Sequence, residues 1–424
     1  MTFVAIVFVV LMVLGLPVAF AIGISGFVFF VLSDVIPPSI GVQKIASVSQ
    51  SFPLLAVPFF VLAGHLMNAG GITDRLFDFS RVAVSWMAGS LAQVSILLST
   101  TMGGVSATAV ADAAMEARLL GPAMQLRGYS KGYAASVIAF SSVITATIPP
   151  SIGLVLFGFV NEVSVGKLLL GGVIPGLLMT AVIMGVTGVI AHRHGYAPEL
   201  AERPGWREIV SGARECFWAL MFPVFLLAGF RFGAFTATEA GAVVVVYALL
   251  VGGFIYRELT WKTMREALQH SVHDIGMVML IIIMAAALGH VIIIEQGPQV
   301  FSEMLRALET PYGTLFLVLL ILFVAGMIME ATVNVLLLTP LLMPALIDQG
   351  FDPVHVGVLI VILITFGGNT PPVGVIMYTV CGILKCSFAE FVRTSIPFIL
   401  AMAVFLALLA LTPQSVLLLP NLLM

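Results

Sequence analysis

The sequence predicts an all-α polytopic membrane protein built from two inverted-topology repeats, each with a re-entrant helical hairpin and a discontinuous transmembrane helix. Three observations carry that prediction. The 424 residues are 60% hydrophobic and 9% charged, against the ~25% charged residues of ordinary soluble domains, with a mean hydropathy of +1.15. An internal repeat relates positions 222 apart: Gly104 to Gly326, Pro122 to Pro344, Gly128 to Gly350, Pro149-Pro150 to Pro371-Pro372, and Pro175 to Pro397. Finally, the lysines and arginines fall unevenly on the two sides that this topology defines.

The repeated residues are prolines and glycines, which interrupt helices. A pattern of interruptions has been duplicated. The first repeat covers residues 1–191. It opens with a span at Phe3–Val31, which lacks the basic start and the cleavage site of a signal peptide and so reads as retained. A connector at Ile36–Ser51 and a span at Phe52–Asn68 follow. Thr73–Trp86 mixes Leu76, Phe77, Phe79, Val82 and Val84 with Asp74, Arg75, Asp78 and Arg81, as a helix along the interface does. Residues 88–119 form the first hairpin, because Ala88–Met102 and Ala107–Leu119 are each too short to cross ~30 Å at ~1.5 Å per residue. A span broken at Thr147–Gly153 occupies 129–160, and Leu168–Ala191 is an uninterrupted span.

Residues 192–235 are a polar linker and a span, Phe217–Phe230, that has no counterpart under the offset. The second repeat covers 236–424. Its elements are spans at Thr238–Tyr256 and Ile275–Ile294, an interfacial piece at Gln299–Leu308, a hairpin at 315–345 turning near Gly326, a broken span at 354–384 interrupted at Gly367–Gly374, and a last span at Phe391–Leu411. Four full spans per repeat, plus the unpaired one, start the second repeat on the opposite face. Charge supports this independently. Fourteen of the 18 basic residues, from Arg75 to Arg393, fall on the side shared by the N-terminus and first hairpin, and Lys44, Lys167, Arg231 and Arg306 fall on the other. The positive-inside rule therefore places the N-terminus in the cytoplasm and the C-terminus on the far side.

Unpaired backbone groups cost several kcal/mol each in lipid, so irregular backbone at membrane depth belongs inside the protein. The four interruptions, Gly103–Thr108, Thr147–Ser151, Gly326–Asn334 and Gly367–Pro372, therefore have an interior role. In inverted-repeat membrane proteins such breaks hold solute and coupling ions near the midplane. Half-helix N-termini suit a carboxylate, and freed carbonyls with hydroxyls and amides suit Na+. The candidate sodium ligands are Gly103, Gly104, Ser106, Thr108, Thr147 and Pro149 in the first repeat, and Gly326, Thr332, Asn334, Gly367, Gly368 and Thr370 in the second. The candidate substrate contacts are Ser106, Ala107, Thr108, Ser151, Thr332, Asn369 and Pro371.

Blander roles stand beside these. Pro-Pro kinks a helix, and Ser106 and Thr108 back-bond to helix carbonyls. Glu239 caps a helix behind Thr236. His65 and His290 are scaffold residues with a lesser claim to proton coupling. Asp112 and Glu330 are intramembrane acids, costly unless paired or functional. Cys216, Cys381 and Cys386 have no CxxC spacing. No GxxxxGK loop and no nucleophile–base constellation occurs, so neither P-loop nucleotide hydrolysis nor an enzyme of another kind is expected, and no nucleic-acid partner.

The motifs Gly104-Val105-Ser106-Ala107-Thr108-Ala109, Thr147-Ile148-Pro149-Pro150-Ser151, Phe235-Thr236-Ala237-Thr238-Glu239-Ala240 and Gly367-Gly368-Asn369-Thr370-Pro371-Pro372-Val373-Gly374 together resemble the large membrane subunit of TRAP (tripartite ATP-independent periplasmic) transporters over nearly the whole chain. The resemblance implies an elevator-type fold in a bacterial inner membrane. It also implies sodium-coupled import of a small organic acid delivered by a periplasmic binding protein, and a small four-helix membrane subunit expected as a separate chain. Na+ is the expected coupling ion, with no organic cofactor. A stand-alone sodium/carboxylate symporter of the same architecture is the alternative.

Overall fold

The computed structural model describes residues 2–33, 36–103, 105, 108–200, 202–306 and 310–424. Every regular element there is helical. Helix α1 (Thr2–Val13) packs against α2 (Val18–Leu32). The expected single span at Phe3–Val31 is thus two helices. Gly15 takes φ +81° and Pro17, which has no N–H to donate, restarts the chain. The connector is helical over α3 (Pro38–Ser49), and α4 (Ala56–Ala69) follows one tight turn at Phe52–Leu55. Helix α5 (Ile72–Val84) is amphipathic as expected, burying Ile72, Leu76 and Val84.

The first hairpin is α6 (Ser90–Met102) and α7 (Ala109–Leu119), which run antiparallel: Ser95 bonds Glu116 and Ser99 bonds Asp112. At 13 and 11 residues neither exceeds about 20 Å. Short α8 (Gly121–Leu126) leads into the broken span, α9 (Lys131–Thr145) and α10 (Ile152–Val160), and then α11 (Val165–His194). The polar linker holds α12 (Trp206–Glu215), which packs on α5 and meets α13 (Phe217–Arg231) at 69°. Alone, the 15 residues of α13 cover only about 22 Å, so the Phe217–Phe230 segment reaches spanning length only together with α12.

The second repeat runs α14 (Ala237–Leu250), α15 (Trp261–Ile294), α16 (Gly297–Arg306), α17 (Pro311–Ile328), α18 (Ala331–Asp348), α19 (Pro353–Gly367), α20 (Val375–Leu384), α21 (Phe388–Leu411) and α22 (Gln414–Leu423). Three features differ from expectation. Thr260 caps α15 and starts it 14 residues before Ile275. The hairpin turns at Met329-Glu330, with Gly326 still inside α17, because Glu330 supplies the N-cap of α18. A further helix, α22, follows the last expected span. Among the described residues seven helices are long and apolar enough to cross a membrane, eight if α12 and α13 count as one.

The offset of 222 recurs in the observed boundaries. Helix α9 maps residue for residue onto α19, and α7 and α18 start at corresponding positions. Packing is reciprocal: α10 lies on α18 while α20 lies on α7, and α6 packs on α9 as α17 packs on α19. Exchanged contacts of this kind mark a pseudo-two-fold relation. Phe140 joins the two broken spans at the centre, stacking on Phe398 at 5.6 Å and reaching Phe366 at 6.1 Å, which stacks in turn on Phe323 at 5.2 Å. A separate group forms around α2, α3, α4, α14 and α15, and touches the hairpin assembly through α15 on α18 and α4 on α10.

Candidate functional site

Four helix N-termini converge where the repeats meet. They belong to the second hairpin helices α7 and α18 and to the second halves of the broken spans, α10 and α20. A cavity of about 40 Å³ lies among them, lined in part by Thr108 and Ala109, by Glu330 and Thr332, by Ile152 and Gly153, and by Val375 and Ile376, with Thr365 and Gly368 beside them. A volume of this size holds roughly three waters at ~10–15 Å³ each. Each helix N-terminus points N–H groups outward and carries roughly +0.5 of a charge, so the convergence favours an anion.

Local sequence makes each terminus. Thr108 leaves the helical region with φ −134° and its hydroxyl accepts from Ala111 N at 3.3 Å. Ser151 accepts from Leu154 N at 3.3 Å and donates to the Ala146 carbonyl, bridging the first break. Glu330, at the position equivalent to Thr108, caps α18 with its carboxylate, accepting from Thr332 N at 2.8 Å and from Thr332 Oγ1 at 3.1 Å. Gly374 starts α20 at φ +26°, a conformation that L side chains rarely adopt. The Gly368 carbonyl then accepts from Ile376 N and Met377 N at 3.0 and 3.3 Å, clamping α20 against the end of α19. Both breaks contain a cis X-Pro bond, Pro149-Pro150 and Pro371-Pro372.

Of the residues singled out in sequence, Thr108, Glu330, Thr332 and Gly368 line the cavity. Gly103 ends α6 and packs on Ile148. Gly104, Ser106 and Ala107 lie outside the described residues. Thr147 and Thr370 are buried, and each donates to the carbonyl four residues back, Val143 at 2.8 Å and Phe366 at 2.9 Å. That is the back-bonding role, though it leaves both hydroxyl oxygens with lone pairs. Pro149, Ser151, Asn369 and Pro371 belong to the breaks but do not line the cavity. Gly326 and Gly367 meet across α17 and α19, where a Cβ on Gly326 would sit 2.7 Å from the Ile364 carbonyl oxygen.

Two amides stand out. Asn334 Nδ2 donates to the Met329 carbonyl at 3.0 Å, holding the second turn, while its Oδ1 has no partner. Asn369 is fully buried, and neither its Oδ1 nor its Nδ2 has a partner. An orphaned buried amide costs about 1–3 kcal/mol, so these oxygens fit a cation ligand better than a structural bond.

Elsewhere, Glu239 forms the expected capping box with Thr236. His65 pairs with Asp274 at 2.8 Å and stacks on His270, joining α4 to α15. Sequence reasoning missed Glu116, one turn after Asp112 on α7. The signal was available as two acids four residues apart in an apolar helix.

Reciprocal hairpins and broken spans around one central cavity define a membrane protein of the secondary-transporter class. The chain belongs to the DctM component of the tripartite ATP-independent periplasmic transporters, whose family model matches residues 5–415; it is a large permease subunit of a TRAP transporter rather than an enzyme. It is 36% identical over 408 residues to the 2,3-diketo-L-gulonate TRAP transporter large permease protein YiaN of Escherichia coli, covering 96% of this chain and 95% of that one. It is 31% identical over 406 residues to the isethionate TRAP transporter permease protein DctMQ of Oleidesulfovibrio alaskensis, covering 96% of this chain but 63% of the longer relative. Among solved structures, the crystal structure of the YdaH transporter of Alcanivorax borkumensis has a similar fold, with a TM-score of 0.58 at 15% identity over 97% of this chain and 98% of that one.

Proposed function

We propose that this chain is the translocating subunit of a sodium-coupled importer of a small organic acid, working by an elevator motion in the bacterial inner membrane. The observation that carries the proposal is the convergence of four helix N-termini on one cavity between the repeats. The acid group of the solute sits there, against Thr108 and Thr332, with Ser151, Asn369 and Pro371 shaping the approach; Ser106 and Ala107 are the further contacts proposed from sequence. One Na+ belongs to each repeat. In the second, Gly326, Thr332, Asn334, Gly367, Gly368 and Thr370 surround it, and the orphaned amide oxygens of Asn334 and Asn369 support that placement. In the first, Gly103, Gly104, Ser106, Thr108, Thr147 and Pro149 take the corresponding role.

No Lys or Arg lines the described cavity, so the anion is held by N–H groups and hydroxyls while Na+ supplies the positive charge. Glu330 puts a carboxyl at the same point; in its ionised form it makes anion binding without a bound cation unfavourable, which is a physical basis for coupling. A cavity with room for about three waters must widen to admit a sugar acid or sulfonate, as the hairpin assembly moves against the group around α4 and α15. The N-terminus and first hairpin face the cytoplasm and the C-terminus the periplasm. A periplasmic binding protein delivers the solute, and a small helical membrane subunit, separate or fused, completes the permease.

The test is uptake into proteoliposomes containing the chain and its small subunit, with and without an inward Na+ gradient and with and without the binding protein. Uptake that requires both is expected. Uptake with Na+ alone would replace the tripartite reading with the stand-alone symporter, and Na+-independent uptake would remove the ion sites.

A further inference from the structure

The first hairpin holds two carboxylates that neither the cavity nor the breaks explain. Asp112 and Glu116 sit one turn apart on α7, both fully buried. Their ligands are hydroxyls. Thr145 Oγ1 lies 2.6 Å from Asp112 Oδ2, and Ser99 Oγ bridges the pair at 3.1 Å from Asp112 Oδ2 and 2.8 Å from Glu116 Oε1. Ser95 donates to Glu116 Oε2, and Ser141 lies 3.5 Å from it but also 3.0 Å from the Ile138 carbonyl.

The hydroxyl protons are too few for the carboxylate oxygens they face. Each hydroxyl has one proton, so the single proton of Ser99 serves one carboxylate and not both. The proton of Thr145 is also within reach of the Ser99 carbonyl at 3.0 Å. Asp112 Oδ1 is buried with no partner at all. Among the described residues no positive charge balances the pair. Helices α6 and α8 carry no charged residue. On α9, Lys131 Nζ reaches the Lys385 carbonyl and the Tyr133 hydroxyl the Thr187 carbonyl. On α20, Tyr378 is directed to the Pro372 carbonyl and Cys381 is uncharged as a thiol. Arg118 at the end of α7 is exposed.

Two unpaired buried carboxylates cost several kcal/mol each, and a group so placed neutralises instead; two that share a site do not both ionise. The hydroxyl and carboxylate oxygens are already at hydrogen-bond distance from one another, with Ser99 Oγ between the two acids, which leaves room for a proton rather than a coordinated metal ion. We propose that Asp112 and Glu116 bind one proton between them, making the core of the first hairpin a proton site separate from the ion sites at the turns. The site is confined to one repeat, since the equivalents of Ser95, Ser99, Glu116 and Ser141 are Leu317, Ile321, Leu338 and Leu363.

Infrared spectroscopy of the full chain in nanodiscs at neutral pH tests this without transport. The parent should show a protonated-carboxyl band that disappears in Asp112→Asn and in Glu116→Gln alike, because the introduced amide N–H replaces the shared proton. The band should survive addition of Na+. A parent spectrum with no band sensitive to either substitution would overturn the proposal, and so would a band that Na+ titrates away. Should either variant fail to fold, Ser99→Ala retains both acids and should shift the band without removing it; an unmoved band there also overturns the proposal.

Discussion

The two hairpin units share several helix boundaries and differ in arm length, 13 and 11 residues against 18 and 18, and in chemistry. Helices α9 and α19 have corresponding ends, both breaks contain a cis X-Pro bond, and α7 and α18 start at equivalent residues. The side chains inside them diverge. Asp112, Thr145 and Thr147 of the first unit correspond to Asn334, Gly367 and Asn369 of the second. The first is cross-linked by hydroxyl–carboxylate bonds, and the second by backbone approach at Gly326 and Gly367 with orphaned amides beside it. Duplication therefore kept the interruptions, which geometry requires, and let each unit acquire its own polar interior.

The strongest way to break the comparison is to exchange one position between units. Thr145 occupies in the first repeat the place of Gly367 in the second. A Cβ on Gly367 would meet Gly326 carbonyl carbon and the Phe323 oxygen at 2.9 Å, and backbone atoms cannot move aside as a flexible side chain does. Gly367→Thr should cost at least the 1–3 kcal/mol typical of overpacking and abolish uptake, seen as a large fall in folded yield and melting temperature. Thr145→Gly, which removes one donor from Asp112, should cost less. Equal losses would show that the two interiors do not differ as described.

Thr147 and Asn369 form the second pair. Removing an amide that has no partner should leave the stability of the Na+-free protein unchanged or raise it. If Asn369 serves the ion, Asn369→Ala should instead weaken apparent Na+ affinity by about tenfold, or 1.4 kcal/mol, read as the Na+ dependence of the melting temperature. A Na+-free protein destabilised by more than about 1 kcal/mol would make the residue structural and sink the ion role.

Backbone features were legible in the sequence, and side-chain environments were not. Proline and glycine positions located both breaks and both hairpins, because those residues constrain φ and ψ locally. The polar cluster was invisible as a cluster. Ser95, Ser99, Glu116, Ser141 and Thr145 come from three helices, and only packing brings them together. The Phe3–Val31 reading failed because hydropathy alone does not register one glycine at positive φ. The second turn was misplaced at Gly326 because that glycine serves close packing against Gly367 rather than chain reversal.

The N-caps give a smaller contrast. Thr108 and Glu330 cap equivalent helices, one with a neutral hydroxyl and one with a carboxylate. Thr108→Ala and Glu330→Ala should each cost about 1 kcal/mol in melting experiments. Glu330→Thr should preserve the cap while removing a negative charge from the cavity, so Na+-free affinity for the anionic solute should rise. No rise would mean that Glu330 does not act on the bound anion.

The smallest expected effect concerns a clasp that, among the described residues, only the first repeat has. Glu199 receives Arg81 and Arg127, the latter at 2.9 Å, and its own N–H bonds the Ser85 carbonyl at 2.9 Å, tying the loop after α11 to α5 and to the end of α8. At the offset these residues become Asn421, Glu303 and Gln349, so the second hairpin has no equivalent tie. The hydrogen bond from Arg81, helped by the charges of both arginines, holds the Glu199 carboxyl below the ordinary glutamate range. A depressed carboxyl contributes its full stability above the unfolded value, about 4.3, and loses it as pH falls through the lower folded value. Both arginines are substantially exposed, so the contribution should lie within the about 0.2–1 kcal/mol of surface pairs. Melting temperatures of the parent and Glu199→Gln should thus differ slightly and constantly between pH 7 and pH 5, then converge below pH 4. The gap at pH 7 should also shrink in high salt. A gap that persists unchanged to the acid end, or that salt leaves alone, would assign the stability of the clasp to the Ser85 backbone bond rather than to charge.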